Sequence, residues 1–427
     1  MRRLVLAVFL TTLLAACGPT GELGDPWGSD PTLPEPAEQG PIPVTNVAEA
    51  VGWPEGEAPT APDGFTVTRF AEGLDHPRWI YLLPNGDVLV AESSTEPQPG
   101  GGIRGFFMRM LQRRGGALNE SADRITLLRD ADGDGVVDTR SPFIENLNQP
   151  FGMQVIGETL YVGNTDGVYA YPFKVGDTRI TAPGKKLMDT KPGGHWTRSL
   201  LASPDKTKLY VGVGSLSNIA EHGFEAEEGR ACIYELDLTT SKHRIFAGGL
   251  RNPVGLAFEP TTGTLFTVVN ERDGIGDETP PDYLTSVKDG GFYGWPYSYW
   301  GKIVDDRVPQ DPAKVASATA PDFALGGHTA SLGLCWLPEG TLPGFPDGML
   351  IGQHGSWNRS MLSGYKMVFV PFTEGKPTGT PREVLTGFLS PDEKESYGRP
   401  VGVVIAGDGA VLMADDVGDV IWRVTGA

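Results

Sequence analysis

The sequence is poor in positive charge and has no long hydrophobic run. Its 427 residues include 35 Lys and Arg against 54 Asp and Glu, which gives a formal net charge of −19. This acidity argues against nucleic-acid binding, which requires a basic face. The longest apolar stretch, residues 4–16, is too short to span a bilayer and stands at the extreme N-terminus.

Three signatures of common enzyme and electron-transfer classes are also absent. No Cys-x-x-Cys-His motif occurs, so the chain carries no built-in c-type haem. The one Gly-x-Gly-x-x-Gly, at residues 100–105, follows a Pro-containing stretch and not directly a predicted strand, which disfavours a nicotinamide cofactor. No Gly-x-Ser-x-Gly elbow marks a serine hydrolase.

Only three cysteines are present, and the first belongs to an N-terminal targeting signal. Arg2 and Arg3 precede the apolar run, and the Leu-Ala-Ala-Cys segment ending at Cys17 resembles a bacterial lipobox. This pattern predicts a lipoprotein signal peptide over residues 1–16 and a lipid on Cys17; an ordinary signal peptide is the alternative. Gly18 stands where an Asp would retain the protein in the inner membrane. We therefore expect an extracytoplasmic, lipid-anchored protein on the periplasmic side of the outer membrane.

The segment after Cys17 has few aliphatic side chains. Residues 17–60 are rich in Pro, Gly, Glu and Asp, a composition that predicts a disordered tether between the lipid and the folded domain. The other two cysteines, Cys232 and Cys335, each stand in an apolar run. They either pair in an oxidising compartment or remain buried free thiols.

Glycine and proline are abundant: 58 Gly and 36 Pro indicate many tight turns. Over residues 61–427, short apolar strands alternate with Gly, Pro, Asp and Asn turns, which is typical of all-β proteins. A unit of polar head, strand, turn and second strand occurs six times, beginning at His76, Gln149, His195, Asn252, Thr329 and Arg399. Six such repeats predict an all-β fold, a six-bladed β-propeller of four-stranded antiparallel blades.

In a propeller, the polar heads of the six units meet at one end of the central channel. The heads offer Gln149, His195, Arg251, Asn252, Thr329 and Arg399. Histidines at unit heads or strand ends are His76, His195, His328 and His354, four of the six in the chain. We expect a polar functional site at this channel mouth; local turn and capping roles are the alternative.

Five motifs at these positions resemble one enzyme family. They are Gly193-Gly194-His195, Gly249-Leu250-Arg251-Asn252-Pro253, Tyr293-Gly294-Trp295-Pro296, His354-Gly355-Ser356-Trp357-Asn358-Arg359 and Gly398-Arg399-Pro400-Val401-Gly402-Val403. In this order, over nearly all of residues 65–427, they resemble the soluble sugar dehydrogenases that use pyrroloquinoline quinone (PQQ), most nearly the sorbosone and aldose sugar dehydrogenase branch.

The resemblance implies a six-bladed propeller with PQQ and Ca²⁺ as cofactors. It implies an oxidoreductase that transfers hydride to PQQ from an aldose or from a sugar aldehyde such as sorbosone. Because the chain has no haem motif, the electrons are expected to pass to an external acceptor, a quinone or a cytochrome.

The resemblance also assigns roles to residues. His195 matches the base that removes a hydroxyl proton, a task that suits imidazole near neutral pH. Arg251 and Asn252 match the pair that contacts the quinone and stabilises charge on its oxygen. Further cofactor contacts are expected from Gln149, Thr329, Arg359 and Arg399, with a structural ion pair as the alternative for Arg399.

Two departures from the best-characterised glucose enzymes leave the substrate and the exact cofactor contacts open. Gly194 replaces an acidic residue before the base, and Val401 replaces a second arginine after Arg399. Arg359 is a candidate for the charge that a lysine supplies in the family's fifth blade.

Calcium is expected in one acidic loop or in two, since it prefers carboxylate and carbonyl oxygens. In residues 270–278, the resemblance points to the carbonyls of Arg272 and Asp273 as ligands of a calcium beside the cofactor. Alternatively, Asp277 and Glu278 bind a structural calcium together with Asp289 and Tyr293.

A second loop, residues 130–138, follows the spacing of the first nine positions of an EF-hand loop. Its acidic residues are Asp130, Asp132, Asp134 and Asp138, and Ser141 stands where the twelfth position requires Glu. We expect calcium here; a solvated acidic turn is the alternative.

Two other functions remain open. One is a calcium-dependent lactonase or other hydrolase on a six-bladed propeller, with Asn252, Asn270 and Glu271 around the metal. The other is a non-catalytic binding propeller. Fold alone does not decide between them. Residues 97–116, which contain Arg104, Arg109, Arg113 and Arg114, and residues 305–322 are candidate lids. The first of these is alternatively a surface loop in contact with anionic lipid or an electron acceptor.

Overall fold

The computed structural model describes residues 26–37, 44–96 and 102–426. Within these residues nearly all regular structure is antiparallel sheet, and the helices are Gly102–Arg114 and Pro312–Ser317. None of the helices in this described part of the chain is long and apolar enough to cross a membrane.

The first three sheets follow one another along the chain, and we number them as blades from the inside outwards. Blade one contains Pro77–Leu82, Val88–Glu92, Arg124–Arg129 and Thr139–Ile144. Blade two contains Met153–Ile156, Thr159–Asn164, Gly167–Pro172 and Lys185–Asp189. Blade three contains Leu200–Ala202, Lys208–Val213, Cys232–Asp237 and His243–Gly248.

The next three sheets complete the set, with additions at the outer edges. Blade four contains Pro253–Glu259, Thr264–Val269, Pro281–Ser286, Phe323–Gly327 and, outermost, Trp27–Gly28. Blade five contains Ser331–Leu337, Gly348–Gln353, Lys366–Thr373 and an outer edge divided into Lys376–Pro377 and Arg382–Leu385. Blade six contains Pro400–Ile405, Val411–Asp415, Val420–Gly426 and Phe65–Glu72. Two short ribbons lie outside the blades, Ser298–Tyr299 with Ile303–Val304 and Glu49–Ala50 with Glu395–Ser396.

The innermost strands of the six blades contact one another in a closed ring, with blade six against blade one. Backbones approach so closely in this ring that a glycine is required on the inner strand. At Gly333 of blade five a Cβ would meet the carbonyl oxygen of Val401 in blade six, and at Gly152 of blade two it would meet Leu200 in blade three. The predicted six-bladed β-propeller is confirmed.

The ring is closed by pairing the two ends of the propeller domain. Phe65–Glu72 runs antiparallel to the C-terminal strand Val420–Gly426 and forms the outer edge of blade six. Trp422 of the C-terminal strand is fully buried in the core shared by blades five and six. The first and last strands of the domain therefore depend on each other.

The segment before the propeller packs against it, contrary to the expected tether. Trp27–Gly28 pairs with Phe323–Gly327, and Glu49–Ala50 lies parallel to Glu395–Ser396. Trp53 donates from Nε1 to an Asp415 oxygen at 2.7 Å. Residues 26–37 and 44–60 thus correct the prediction of a disordered tether, because aromatic and backbone contacts compensate for their low aliphatic content. The predicted signal peptide and Cys17 lie outside the described residues.

Cys232 and Cys335 are free thiols in separate blades. Cys232 lies on the third strand of blade three and Cys335 on the innermost strand of blade five. Burial raises the pKa of each to about 12, so both remain protonated at neutral pH. Of the two alternatives, the structure has the free thiols.

Strand direction determines which loops meet. Neighbouring strands of a blade are antiparallel. The start of each innermost strand, the end of each second strand and the start of each third strand therefore lie at the same end of the propeller, which we call the upper end. The helix Gly102–Arg114 joins the second and third strands of blade one and lies at the upper end. The loop 130–138 joins the third and fourth strands and lies at the opposite end.

Candidate active site at the upper end of the channel

A cavity of about 260 Å³ opens at the upper end, between blades three, four and five. Its wall is formed by inner-strand heads, by residues after second strands and by one residue of a third strand. These are His195, Arg251, Asn270, Glu271, Asp273, Asp282, His328, Ala330, Gly355, Ser356, Trp357 and Asn358. The cavity therefore forms where the repeat predicts the polar heads to meet.

One ring nitrogen of His195 is hydrogen-bonded to the protein, and the other is available to accept a proton. Its Nδ1 lies 2.9 Å from the carbonyl oxygen of Ser215, which can only accept, so Nδ1 carries the proton. The lone pair is then on Nε2. Burial and the neighbouring Arg251 guanidinium lower the pKa of His195 to about 3, which keeps the ring neutral at neutral pH. A neutral imidazole of this tautomer can accept a proton at Nε2.

Arg251 and Asn252 stand side by side at the head of blade four. Arg251 is nearly buried, donates from Nη2 to Asn218 Oδ1 at 3.0 Å and lies 3.6 Å from an Asp273 carboxylate oxygen. Asn252 donates from Nδ2 to Asn270 Oδ1 at 3.2 Å. The Oδ1 atom of Asn252 is buried and has no hydrogen-bond partner among the described residues. Arg251 thus lines the cavity, and Asn252 supports Asn270, which lines it too.

Asp273 and His328 form an ion pair in the cavity wall. His328 Nδ1 lies 3.4 Å from Asp273 Oδ1, and Nε2 lies 2.9 Å from the carbonyl oxygen of Gly276. Burial opposes a charge on His328, but the Asp273 carboxylate outweighs it and raises the His328 pKa. Burial likewise opposes the Asp273 charge, yet His328 and Arg251 lower its pKa to about 2. His328 therefore contributes a second positive charge beside Arg251.

Two further carboxylates reach the cavity from blade four, and the sequence analysis did not select Asp282 at all. Asp282 accepts hydrogen bonds from the backbone of Glu271 and Ala330 and from the Thr329 hydroxyl. Burial raises the pKa of Asp282 to about 6 in spite of these bonds. Glu271 Oε1 is buried and has no hydrogen-bond partner among the described residues. Asp282 lies within a strand and carries no motif, so only the fold reveals it.

The side chains of the other residues predicted to contact the cofactor are hydrogen-bonded to protein groups and do not line the cavity. Gln149 donates to the Ser94 carbonyl, and Thr329 donates to Asp282. Arg399 donates to the carbonyls of His354 and Gly355 at 2.9 and 2.8 Å, which secures the loop that lines the cavity. The side-chain partners of Arg399 among the described residues are carbonyls, which does not match the structural ion pair offered as the alternative.

Arg359 is also engaged with protein groups. It donates to the Gly327 carbonyl at 2.9 Å and forms an ion pair with Glu278, while Ser360 donates from its backbone to Asp277 at 3.0 Å. Roles for these arginines as direct cofactor ligands remain predictions.

A second polar cluster lies between blades one, five and six. The Asp416 carboxylate contacts Arg78, His354 Nε2 at 2.8 Å and His76 Nε2 at 3.4 Å. The guanidinium of Arg78 lies 5.6 Å from the ring centroid of Trp196, the neighbour of His195. The repeat predicts the histidines but not their partners Arg78 and Asp416. The positions of these partners at a strand start and at a strand end are the signal in the sequence.

The calcium site predicted at the carbonyls of Arg272 and Asp273 stays a prediction, although the contacts of the Asp273 carbonyl count against that ligand. The Asp273 carbonyl already accepts from Asn218 Nδ2 at 3.0 Å and Arg307 Nη1 at 2.9 Å, which uses both of its lone pairs. The Arg272 side chain is fully buried and paired with Glu271 and Asp305.

The alternative structural calcium site also stays a prediction, and each of its four residues has another partner in this structure. Asp277 and Glu278 are taken by Ser360 and Arg359. Asp289 forms a paired contact with Arg244, and the Tyr293 hydroxyl donates to the Ser286 carbonyl. These four residues therefore do not converge, because each has a nearer protein partner.

The loop 130–138 is different. Ligand oxygens of Asp130, Asp132 and Asp138 all lie within 4.8 Å of one another, the one such group of three or more acidic, His or Cys residues among the described residues. Asp134 lies outside this group and accepts from the Val136 backbone at 2.8 Å. The calcium prediction for this loop stays a prediction, now placed at the end of the propeller opposite the cavity.

The sequence matches the TrAA12-like family over residues 59–281 and 304–427, most of the propeller. The chain belongs to the TrAA12-like family. The expected membership among soluble PQQ-dependent sugar dehydrogenases is thereby confirmed.

Relatives of this TrAA12-like protein agree with that assignment. It is 25% identical over 330 residues to a protein named PQQ-dependent sugar dehydrogenase from Hypocrea jecorina, covering 66% of this chain and 71% of the relative. A solved family AA12 structure from Trichoderma reesei superposes with a TM-score of 0.71 at 22% identity, over 90% of this chain and 99% of the other. The holo PQQ domain of pyranose dehydrogenase from Coprinopsis cinerea gives 0.69 at 21% identity, over 89% of this chain and 100% of the other. At these identities the two structures support the fold.

Proposed function

We propose that this protein is a PQQ-dependent dehydrogenase that oxidises an aldose or a sugar aldehyde such as sorbosone, with transfer of the electrons to an external quinone or cytochrome. Family membership and the names of its relatives support the PQQ and sugar parts. The observation that carries the proposal is His195, whose Nδ1–H is bound by the Ser215 carbonyl so that a neutral Nε2 is left as the base.

The residues around the cavity fit an anionic planar cofactor. PQQ is a tricarboxylate, and Arg251 and His328 supply positive charge in the cavity wall. Arg399 and Arg359, just behind the 355–358 wall, add charge and hold that wall in place. When bound, PQQ supplies the hydride acceptor.

The chain's own residues then perform the proton chemistry. His195 Nε2 accepts the proton of the substrate hydroxyl, which is the anomeric hydroxyl of an aldose or a hydroxyl of the hydrate that a sugar aldehyde forms with water. The Ser215 carbonyl keeps the imidazole in the required tautomer. Arg251, positioned by Asn218 and Asp273, provides fixed positive charge where negative charge develops. General-base catalysis of this kind contributes about 10²–10⁴ in rate.

The proposal keeps calcium as a cofactor, with ligand atoms other than the carbonyls of Arg272 and Asp273. The unpaired buried oxygens of Asn252 and Glu271 suit a hard cation, which prefers oxygen ligands. The same observation favours the second candidate, a calcium-dependent hydrolase. The names of the relatives, which are PQQ-dependent dehydrogenases, oppose this second candidate.

Location and partners complete the proposal. We infer an extracytoplasmic enzyme attached through a lipid on Cys17 to the periplasmic side of the outer membrane. The lipobox-like segment and the charged head formed by Arg2 and Arg3 support it.

The test is a cofactor titration of the purified chain. PQQ with calcium is added to the apo-protein, binding is followed by calorimetry, and dye reduction is measured over a panel of aldoses and sorbosone. We expect saturable PQQ binding and dye reduction that requires both PQQ and a sugar. Lactone hydrolysis with calcium alone, and no PQQ binding, would replace the proposal with the hydrolase.

A further inference from the structure

The helix Gly102–Arg114 differs from the rest of the surface in charge. It contains four arginines and no acidic residue, within a chain whose net charge is −19. It also exposes large apolar side chains. These are Phe106, Phe107 and Met110, at 61%, 52% and 50% exposure. Three large apolar side chains exposed together within five residues form a patch rather than the scattered exposure that is normal for surfaces.

The apolar and basic side chains share one face of the helix. Phe106, Met110 and Arg113 are four and three residues apart, which places them in a row along the axis. Phe107 and Arg114 lie three residues before and four residues after Met110, on the same face. The rings of Phe106 and Phe107 meet edge to face, with centroids 5.9 Å apart. A face of aromatic, Met and Arg side chains is typical of helices that lie in a lipid–water interface.

The C-terminal end of the helix is fixed beside the cavity. Arg114 donates from Nε to the Val47 carbonyl at 3.0 Å and lies 3.6 Å from Glu49, an exposed contact. The Gly115 carbonyl accepts from Arg399 at 3.4 Å, and Arg399 also donates to Gly355, which lines the cavity. A partner bound to this helix would therefore lie next to the cavity mouth.

We propose that the helix Gly102–Arg114 docks this protein on an anionic lipid surface. Phe106, Phe107 and Met110 insert at the level of the headgroups, and Arg113 and Arg114 pair with the lipid phosphates. Charge complementarity selects this partner, because the helix is a basic element on an acidic protein that anionic membranes otherwise repel. The inference goes beyond the proposed function and does not require the lipid on Cys17.

Vesicle sedimentation tests this proposal. The full chain carrying Cys17→Ser, which removes any covalent lipid, is mixed with vesicles of phosphatidylcholine and phosphatidylglycerol or of phosphatidylcholine alone. We expect sedimentation with the anionic vesicles that weakens as salt is added. Arg113→Gln with Arg114→Gln lowers the partition coefficient by about tenfold or more, since each arginine contributes about fivefold. Phe106→Ser, Phe107→Ser and Met110→Ser together lower it by about tenfold or more.

Matched controls change exposed apolar side chains elsewhere. Phe224→Ser and Val175→Ser, at 40% and 55% exposure in the parent, should leave the partition unchanged. Thermal unfolding of the triple serine variant and of the control variant should match the parent, because the changed side chains are exposed. The proposal is overturned if the parent does not sediment with anionic vesicles. That result is expected if the helix instead binds a protein acceptor. Equal sedimentation of the triple serine variant and the parent would overturn it as well.

Discussion

His195 and His328 face the same cavity but differ in charge: a carbonyl faces Nδ1 of His195, and a carboxylate faces Nδ1 of His328. The Ser215 carbonyl fixes a proton on His195 Nδ1 but adds no negative charge, so burial and Arg251 keep that ring neutral. Asp273 faces Nδ1 of His328 and stabilises its positive charge. One histidine is therefore suited to accept a proton and the other to bind an anion.

Asp282 gives a prediction about pH and stability. Burial raises its folded-state pKa to about 6 from an ordinary value of 3.8. The protonated form is thus favoured in the folded protein, and its contribution to stability is present below pH 3.8 and lost as the pH rises through 6. In Asp282→Asn this titration is absent. The free energy of unfolding of the parent, relative to the variant, should fall by about 2 kcal/mol between pH 4 and pH 7.

Chemical denaturation across this pH range, with each protein compared at the same pH, provides the measurement. Asp306→Asn, a change of an exposed carboxylate, serves as the control and should show a much smaller change. A difference between parent and Asp282→Asn that is constant with pH would contradict the assignment of Asp282.

At the scale of elements, the loop that lines the cavity between Gly355 and Asn358 is held by an ion pair. Arg359 and Glu278 form this pair with side chains only 7% and 12% exposed. We predict that Glu278→Gln destabilises the protein by about 3 kcal/mol and weakens PQQ binding, because it leaves a nearly buried guanidinium without its carboxylate.

The control is Glu383→Gln, which breaks a more exposed pair with Lys366 and should cost less than about 1 kcal/mol. Urea unfolding and PQQ calorimetry report the two effects. If Arg359 binds the cofactor directly, Arg359→Gln will abolish PQQ binding while Glu278→Gln leaves it intact, contrary to this prediction.

The loop 130–138 yields a prediction about metal removal. We expect calcium to raise the melting temperature of the parent and a chelator to reverse the rise. Asp130→Asn should remove most of the calcium response, since Asp130 belongs to the group of oxygens within 4.8 Å. Glu374→Gln, at an exposed turn, should respond as the parent does. A calcium response that Asp130→Asn does not change would place the metal elsewhere.

At the scale of the whole molecule, the propeller is closed by strand pairing and then clamped by the segment that precedes it. Trp53 packs against Phe388, Tyr397 and Trp422 with ring centroids 5.2–5.8 Å apart. Trp53→Ala should lower the free energy of unfolding by about 2–4 kcal/mol, because it opens a gap among these rings.

Val51→Ala, at a neighbouring side chain that is 49% exposed, is the matched control and should change stability little. Differential scanning calorimetry measures both. Equal melting temperatures for Trp53→Ala and the parent would contradict this prediction and would show that the segment does not stabilise the propeller.

The fold was predictable from the sequence because each unit repeats the same pattern of polar head, inner strand, turn and second strand. The Pro-x-Gly pattern at Pro253–Gly255 and Pro400–Gly402 marks inner strands whose backbones touch their neighbours, and six copies close a ring. His195 and Arg251 were predictable for the same reason, as unit heads.

What the sequence did not reveal has a different origin. The calcium ligands of residues 270–278 could not be judged from the sequence, because Arg307 and Asn218 reach the Asp273 carbonyl from distant loops. The clamp by Trp53 was missed because a composition rich in Pro and Gly carries no record of long-range contacts. The roles of Asp282, Arg78 and Asp416 likewise depend on which strands become neighbours.

The most direct test of the central claim compares the parent with His195→Ala, both loaded with PQQ and calcium. Calorimetry measures PQQ binding, and sugar-dependent dye reduction measures turnover in the same preparations. We predict that the variant still binds PQQ and that its kcat falls by about 10²–10⁴, the contribution of a positioned base. Parental turnover in His195→Ala would contradict the claim that His195 accepts the proton.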